Sequence, residues 1–470
     1  MPALNLLTIA EIARGLRTNE FQARDVVEAH LKNIARLQPQ LNAFTHIDEL
    51  GAIAQAQQAD AARRSHAKIG PLHGVPISLK SSVDVAGWPC PAGSRLRASY
   101  VPTSDAPLVS RLRSAGAILL GNTNTPEYLM AYESDNVLRG AMSNRTSNPW
   151  NIAHSAGGSS GGEAAAIAAG CSSGGVGSDG GGSIRVPAHF CGICGLKPTP
   201  GRIPATGHFP SSSGAFSWLG VVGPMARTVA DVRALFEVLR GPDPGDALSA
   251  PVAARNSANL RGMRIGLLET AALGAHTPET VAAVQKTATA LAARGCNVEP
   301  MHLRELSRAL ELWWFFFGPM VAHLFRGSIT PQEEPQLSPQ FRAYLSIAGA
   351  DPRPTLDVLL AACAERDRLR AAILRKMADV PILLSPVCAA PAFRHGAGTW
   401  HAASGYRETM RASQWLNLVG FPAISVPAVF SANGLPIGVQ LIGRPHEEEL
   451  LLEIAATVEA DRGAYPAPRI

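Results

Sequence analysis

Cysteine is sparse and odd in number: seven are scattered over 470 residues. That argues against a disulfide framework and for a reducing compartment, so a cytoplasmic location is expected. Charge is low as well. Lys and Arg number 42 against 37 Asp and Glu, a formal net charge of +5, and only six of those basic residues are lysine. No basic run interleaves with aromatics, so a nucleic-acid partner is not expected. No stretch of about 20 apolar residues occurs, so no membrane span is expected either. The opening "MPALNLLTIAEIARGL" has no basic start and carries Glu11, unlike a secretory leader. Paired metal ligands are missing too. Cys191-Gly-Ile-Cys194 has the spacing of half a zinc site, but no second half accompanies it. The pair reads as two buried small residues in an apolar strand. No metal and no cofactor is expected.

What remains is ordinary globular material, 46% hydrophobic, long enough for a large core. Residues 7–70 read as helices, with Thr8 as N-cap and Glu11 three residues on. "HGVPISLKSS" then alternates: Val75, Ile77 and Leu79 point one way, Ser78 and Lys80 the other, as in a strand. "VSRLRSAGAILLGN" has the helix–Gly–strand cadence of an α/β fold. Asn433-Gly434 between two apolar runs predicts a hairpin. "ELWWFFFGPM" shows no clear period. It reads as core packing, with a wall for a bulky group as the second reading.

Glycine is concentrated rather than abundant: 11 of the 44 fall within residues 157–183. Several short motifs compete for that stretch. Gly175-Val-Gly177-Ser-Asp-Gly180 matches a dinucleotide fingerprint, but an alanine-rich helix precedes it and Ile184 and Val186 alternate after it. Gly157-Gly-Ser159-Ser-Gly161 matches the nucleophile elbow of an α/β-hydrolase esterase, with Ser159 as nucleophile. The approach "SNPWNIAHSA" is polar and proline-broken, however, and none of His395, His401 and His446 stands out as its base. Ser65-His-Ala-Lys68 and Ser134-Asp-Asn136 echo a β-lactamase set that lacks its third element. The whole region reads better as one unit. Ser160 and Glu163 have capping-box spacing, "EAAAIAA" forms a short helix, and Gly170 ends it. Ser159 then lies at a helix N-terminus. Gly180, Gly181 and Gly182 lead to Ser183 with bare N–H groups able to converge on one oxygen.

"GGSSGGEAAAIAAG", "SDGGGSIRVPA" and "FCGICGLKPTPGR" together resemble the amidase signature family. Weaker similarity at "GPLHGVPISLKSSVDVAG" and "NLVGFPAISVPA…GLPIGVQLIGRP" extends it over nearly the whole chain. The resemblance implies one α/β domain over 1–470, a mixed β-sheet core covered by helices on both faces. Its parts would be a helical portion (1–70), a catalytic core (71–240) and a variable substrate wall (300–415). It implies a Ser–Ser–Lys triad: Ser183 as nucleophile, Ser159 as the bridging serine on a cis peptide, and Lys80 as base. Backbone N–H groups of Gly180, Gly181, Gly182 and Ser183 would form the oxyanion hole. Ser160 would support the site as a cap, and Asp179 and Arg185 as a loop-holding pair. Lys197 reads as structural. Many members carry an acidic residue after the lysine, where Ser81 and Ser82 stand here.

The chemistry of these residues is compatible. A serine hydroxyl needs a base. A lysine can serve if burial lowers its pKa from about 10.4 toward 7–8. The expected partner is a small amide, ester or carbamate, and the candidate assembly a homodimer. Pocket walls are expected from 125–150, 300–350 and 385–415. The alternative within the family is the glutaminase subunit of a tRNA-dependent amidotransferase. Glu163 and "GGGSIRVP" differ from that branch's pattern and favour a free amidase.

Overall fold

The computed structural model describes residues 3–138, 144–211, 214–253, 260–350, 354–400 and 405–470. Its first helix, α1 (Ile9–Thr18), starts as the sequence dictates: Thr8 Oγ1 accepts from the Glu11 N–H, and the Glu11 carboxylate accepts from the Thr8 N–H. Next come α2 (Ala23–Leu41), β1 (Phe44–Ile47), α3 (Glu49–Arg64), β2 (Pro76–Lys80), α4 (Pro107–Ser114) and β3 (Ile118–Thr123). β1 corrects the all-helical reading of 7–70. Asn42 leaves α2 in the left-handed region, at φ 49°, and the aromatic and β-branched residues that follow pair antiparallel with β3.

A small hairpin, β4 (Ser147–Asn148) and β5 (Asn151–Ser155), precedes α5 (Gly161–Ala168), β6 (Gly174–Asp179), α6 (Arg185–Cys191), β7 (Cys194–Lys197) and β8 (Val221–Ala226). The remaining strands are β9 (Arg264–Leu268), β10 (Asn297–Met301), β11 (Ile382–Pro386), β12 (Ala423–Phe430) and β13 (Pro436–Gly443). All but β4 and β5 form one 11-stranded sheet in the order β1-β3-β2-β6-β8-β7-β12-β13-β11-β9-β10. Parallel pairs (β2 with β3 and β6, β9 with β10 and β11) sit among antiparallel ones, so the sheet is mixed. β12 and β13 are the hairpin predicted around Asn433-Gly434.

Both faces of the sheet are covered. On β11, Ile382 and Leu384 belong to one hydrophobic core and Leu383 to another. β12 divides likewise between Ile424 and Ala423, and β13 between Leu441 and Ile442. Successive strand residues point to opposite faces, so two cores on one strand mean helices on both sides. Three local readings change. Cys191 ends α6 and Cys194 begins β7, both buried free thiols, instead of sharing a strand. Gly175 and Gly177 lie inside a strand, and a helix rather than a strand follows at 185; the strand-to-helix turn of a dinucleotide site is not where these glycines are. The aromatic run is helical over Leu306–Phe315 and then makes a π turn, Phe316–Met320. The extra residue in that turn hides the 3.6-residue period.

Candidate active site

Lys80 is the last residue of β2, and Asp179 the last of its parallel neighbour β6. α5 leads into β6, so its N-terminus returns to the same end of the sheet. The carboxyl ends of adjacent parallel strands are where open α/β sheets hold ligands. Here they bring together three segments: the end of β2, the 157–160 turn before α5, and the 180–184 turn after β6.

Lys80 is fully buried, and its Nζ lies 2.7 Å from Ser159 Oγ, 2.9 Å from Ser160 Oγ and 3.0 Å from Ser178 Oγ. Burial pushes its pKa well below the usual lysine range, and the charges of Asp179 and Glu163 only partly oppose this. A neutral amine has two N–H donors and one lone pair, which three hydroxyls can satisfy without a carboxylate. The Gly158–Ser159 peptide is cis. Its far side is held by Thr125, whose hydroxyl donates to the Ser159 carbonyl at 2.8 Å.

Ser160 is not the cap the sequence suggests. It stands at the N-cap of α5, but its hydroxyl makes no capping bond and instead meets Lys80 and the backbone of Ser178. Glu163 does not reach back either. Its carboxylate accepts from Ser78 Oγ at 2.5 Å and Thr123 Oγ1 at 2.8 Å, and burial raises it to about 7. Gly175 makes room for it, since a Cβ there would meet Glu163 Oε1 at 1.8 Å. The polar layer beneath Lys80 outcompetes local capping. Ser81 and Ser82, which follow the lysine, have buried hydroxyls without partners.

The glycine turn is fastened from both ends. Asp179 accepts from the Gly182 N–H at 2.6 Å and the Ile184 N–H at 3.1 Å. Arg185 forms a buried pair with Asp179 at 3.0 Å and also donates to Asn417 Oδ1, Gln440 Oε1 and the Ser413 carbonyl. Burial alone would raise the Asp179 carboxyl, but the adjacent guanidinium overcomes this and holds it well below the usual range. On the outer side, Trp313 Nε1 donates to the Gly180 carbonyl at 3.0 Å and the Tyr132 hydroxyl to the Gly181 carbonyl at 2.6 Å. Carbonyl and N–H point oppositely across a trans peptide. Anchoring the Gly180 carbonyl to Trp313 therefore aims the Gly181 N–H away from it. The Gly182 N–H is already committed to Asp179, which leaves Gly180, Gly181 and Ser183 to offer theirs.

Ser183 is 9% exposed, and its hydroxyl makes no hydrogen bond among the described residues. It lines a narrow cleft with Ser159, Ser178, Leu129, Phe216 and Phe317. Of the three expected walls, 125–150 and 300–350 contribute, through Leu129, Met130 and Phe317. The described residues of 385–415 do not; His208, Pro210, Phe216, Gly220 and Val221 take that place. Their stretch of sequence, "GHFPSSSGAFSWLG", is rich in glycine and serine around isolated aromatics, the one hint that it is a wall. Sequence reasoning also missed Ser178, Tyr132 and Thr125. The aromatic run serves both readings, since Trp313 and Phe317 are core residues that reach the glycine turn and the cleft.

The competing motifs do not assemble. Ser159 Oγ meets Lys80, while the His395 ring is bound to Glu133 at 2.6 Å and His401 lies outside the described residues. Ser65 is an exposed C-cap of α3, whereas Ser134 braces the Gly161 N–H at 3.0 Å. Lys197 is buried on β7 and donates to the Pro198 carbonyl at 3.1 Å. Among the described residues, no group of three His, Cys, Asp or Glu could hold a metal, and no helix is long and apolar enough to cross a membrane.

The Amidase family model matches residues 25–452. A glutamyl-tRNA(Gln) amidotransferase subunit of Synechococcus sp. (strain CC9605) is 34% identical, covering 96% of each chain. An acylamidase of Rhodococcus erythropolis is 32% identical over 98% of this chain and 96% of its own. A solved 6-aminohexanoate cyclic dimer hydrolase, complexed with substrate, superposes with TM-score 0.84 at 29% identity over 98% of both chains. Fold, extent and family match agree: the chain belongs to the amidase family, the amidase signature enzymes.

Proposed function

We propose that this chain is a serine amidase that hydrolyses the C–N bond of a small linear amide bearing an apolar group. Lys80, buried, its pKa pushed down by that burial, and hydrogen-bonded to Ser159, is the observation that carries the reading. Neutral Lys80 accepts the Ser159 proton, and Ser159 takes the proton of Ser183 as its Oγ attacks the carbonyl carbon. Ser183 has no competing hydrogen bond among the described residues and shares the cleft with Ser159; contacts between such groups are often long until a substrate is seated. The N–H groups of Gly180, Gly181 and Ser183 hold the developing oxyanion. The relay then returns the proton to the leaving nitrogen as the C–N bond breaks. Water, deprotonated by the same relay, cleaves the Ser183 acyl ester and frees the acid.

The cleft favours a free amidase over a glutaminase subunit. Glutamine carries an α-ammonium and an α-carboxylate, and both need charged partners when buried. Among the described lining residues the one charged group, Asp179, is saturated by Arg185 and backbone N–H groups; the rest of the wall is Leu129, Met130, Phe216, Val221 and Phe317 with serines, glycines, Pro210 and His208, none of them a counter-ion for glutamine's two charges. Esters and carbamates of similar shape fit the same chemistry. Purified protein incubated with a fluorophosphonate and with a panel of anilides, primary amides, carbamates, esters and glutamine tests this. The expected result is one adduct, on Ser183, and turnover of at least one apolar amide. An adduct on Ser159, or turnover confined to glutamine, contradicts it.

A further inference from the structure

His208 lines the same cleft as Ser159 and Ser183 and has no part in the proton relay. Its backbone is tied to the strand end that carries Lys80. His208 bridges Val83, the Phe209 N–H donates to the Ser82 carbonyl at 2.8 Å, and the Asp84 N–H donates to the Gly207 carbonyl at 2.8 Å. The neighbouring Phe209 ring lies under the Arg97 guanidinium at 3.8 Å and packs on Tyr128. The backbone that carries the imidazole is therefore fastened on both sides of it.

Its tautomer follows from one contact. Nδ1 lies 3.1 Å from the Pro210 carbonyl, which can only accept, so Nδ1 carries the proton. Nε2 is left as a lone-pair acceptor, and it is buried with no partner. Burial pushes the ring's pKa down to about 3, so it stays neutral over the working range. Other acceptors near Ser183 are spoken for: Ser159 and Ser178 meet Lys80, and Asp179 serves Arg185 and the glycine turn. A buried acceptor without a partner calls for a donor that arrives with the ligand.

We propose that His208 Nε2 accepts a hydrogen bond from an N–H of the substrate beside the scissile carbonyl, making the cleft selective for primary and secondary amides over esters and N-alkylated tertiary amides of the same shape. This rests on the reading of Ser183 as nucleophile. The carbonyl oxygen then finds donors in the glycine turn while the amide N–H finds its acceptor in His208, so both polar ends of the amide are matched. An ester leaves Nε2 unpaired, and a tertiary amide puts a methyl group against it.

The test compares kcat/KM for an N-alkyl amide, its N-methylated counterpart and the corresponding ester. The enzymes are the wild type, His208→Phe, which keeps a ring without the acceptor, and His208→Gln, whose Oε1 falls near the place of Nε2. The expected result is a fall of about 10- to 100-fold in the secondary-amide-to-ester ratio for His208→Phe, with much of the ratio restored in His208→Gln. If His208→Phe fails to fold, the wild-type preference for the N–H amide over its N-methyl form, and its retention in His208→Gln, decide instead. Equal losses on amide and ester, or a wild type indifferent to N-methylation, overturn the proposal. A wild type that neither labels at Ser183 nor cleaves any of the three overturns the parent reading and this one with it.

Discussion

Lys80 and Lys197 each end a strand of the same sheet, and neither side chain touches solvent. Burial depresses both ammonium groups, Lys80 well below its ordinary range and Lys197 to about 7, with Arg185 adding to the effect on Lys197. Their partners differ. Lys80 meets three serine hydroxyls, two of them, Ser159 and Ser178, on the wall of the cleft, whereas Lys197 donates to the carbonyl of the next residue. A lowered pKa therefore does not by itself make a base. In the proposed reaction, what separates the two is a neighbour that can pass on a proton, and a route from that neighbour to the Ser183 hydroxyl.

Substitution breaks this comparison most sharply at the reacting atoms. Ser183→Ala should lower kcat/KM by about 10⁴-fold or more with an unchanged circular dichroism spectrum. Lys80→Met should come within an order of magnitude of that loss, whereas Lys197→Met should cost less than about tenfold, both read on the same amide. Comparable losses at the two lysines would erase the distinction.

Asp179 lies within electrostatic reach of both lysines and raises both. Asp179→Asn leaves the Arg185 charge buried without its counter-ion, so urea unfolding should show a loss of about 3–5 kcal/mol. A loss below about 1 kcal/mol would mean that Gln440 and Asn417 suffice to hold the guanidinium. Trp313→Phe keeps an aromatic ring but removes the hydrogen bond to the Gly180 carbonyl. It should lower kcat about tenfold with little change in KM, because the loosened peptide plane matters only as the oxyanion forms. A change confined to KM would place Trp313 in the substrate wall instead.

The smallest effect is on stability against pH. The folded Lys197 pKa, about 7, lies below the unfolded value of 10.5, so between them the unfolded state binds more protons. Stability from this group therefore rises with pH across that window and levels off below it. Lys197→Met should stabilise the protein at pH 7 relative to wild type, and the gain should shrink toward pH 10. A gain independent of pH would mean that Lys197 stays charged when folded.

The parts of the site written in contiguous residues were legible in the sequence. The alternation into Lys80, the glycine turn before Ser183 and the short helix after Ser159 are local, and local backbone rules describe them. The capping box was misread because Ser160 and Glu163 also face a buried lysine layer, and side chains 80 and 85 positions away, Lys80 and Ser78, won. Tyr132 and Trp313 bind the glycine turn from 49 and 133 positions away, with no motif linking them to it. β1 exists because β3 offers it an edge, and the wall at His208 because it bridges the strand end at Val83. Each is a tertiary choice that propensity does not encode.

The most direct test is the rate at which a fluorophosphonate labels Ser183 as pH is varied, in wild type, Lys80→Met and Lys197→Met. A base must be neutral to act, so the wild-type rate should fall as pH drops through the lowered Lys80 pKa. Lys197→Met should keep that profile. Lys80→Met should label at least about 10³-fold more slowly, with the inflection gone. Labelling of Lys80→Met at the wild-type rate, with the inflection intact, would show that the proton of Ser183 leaves by another route.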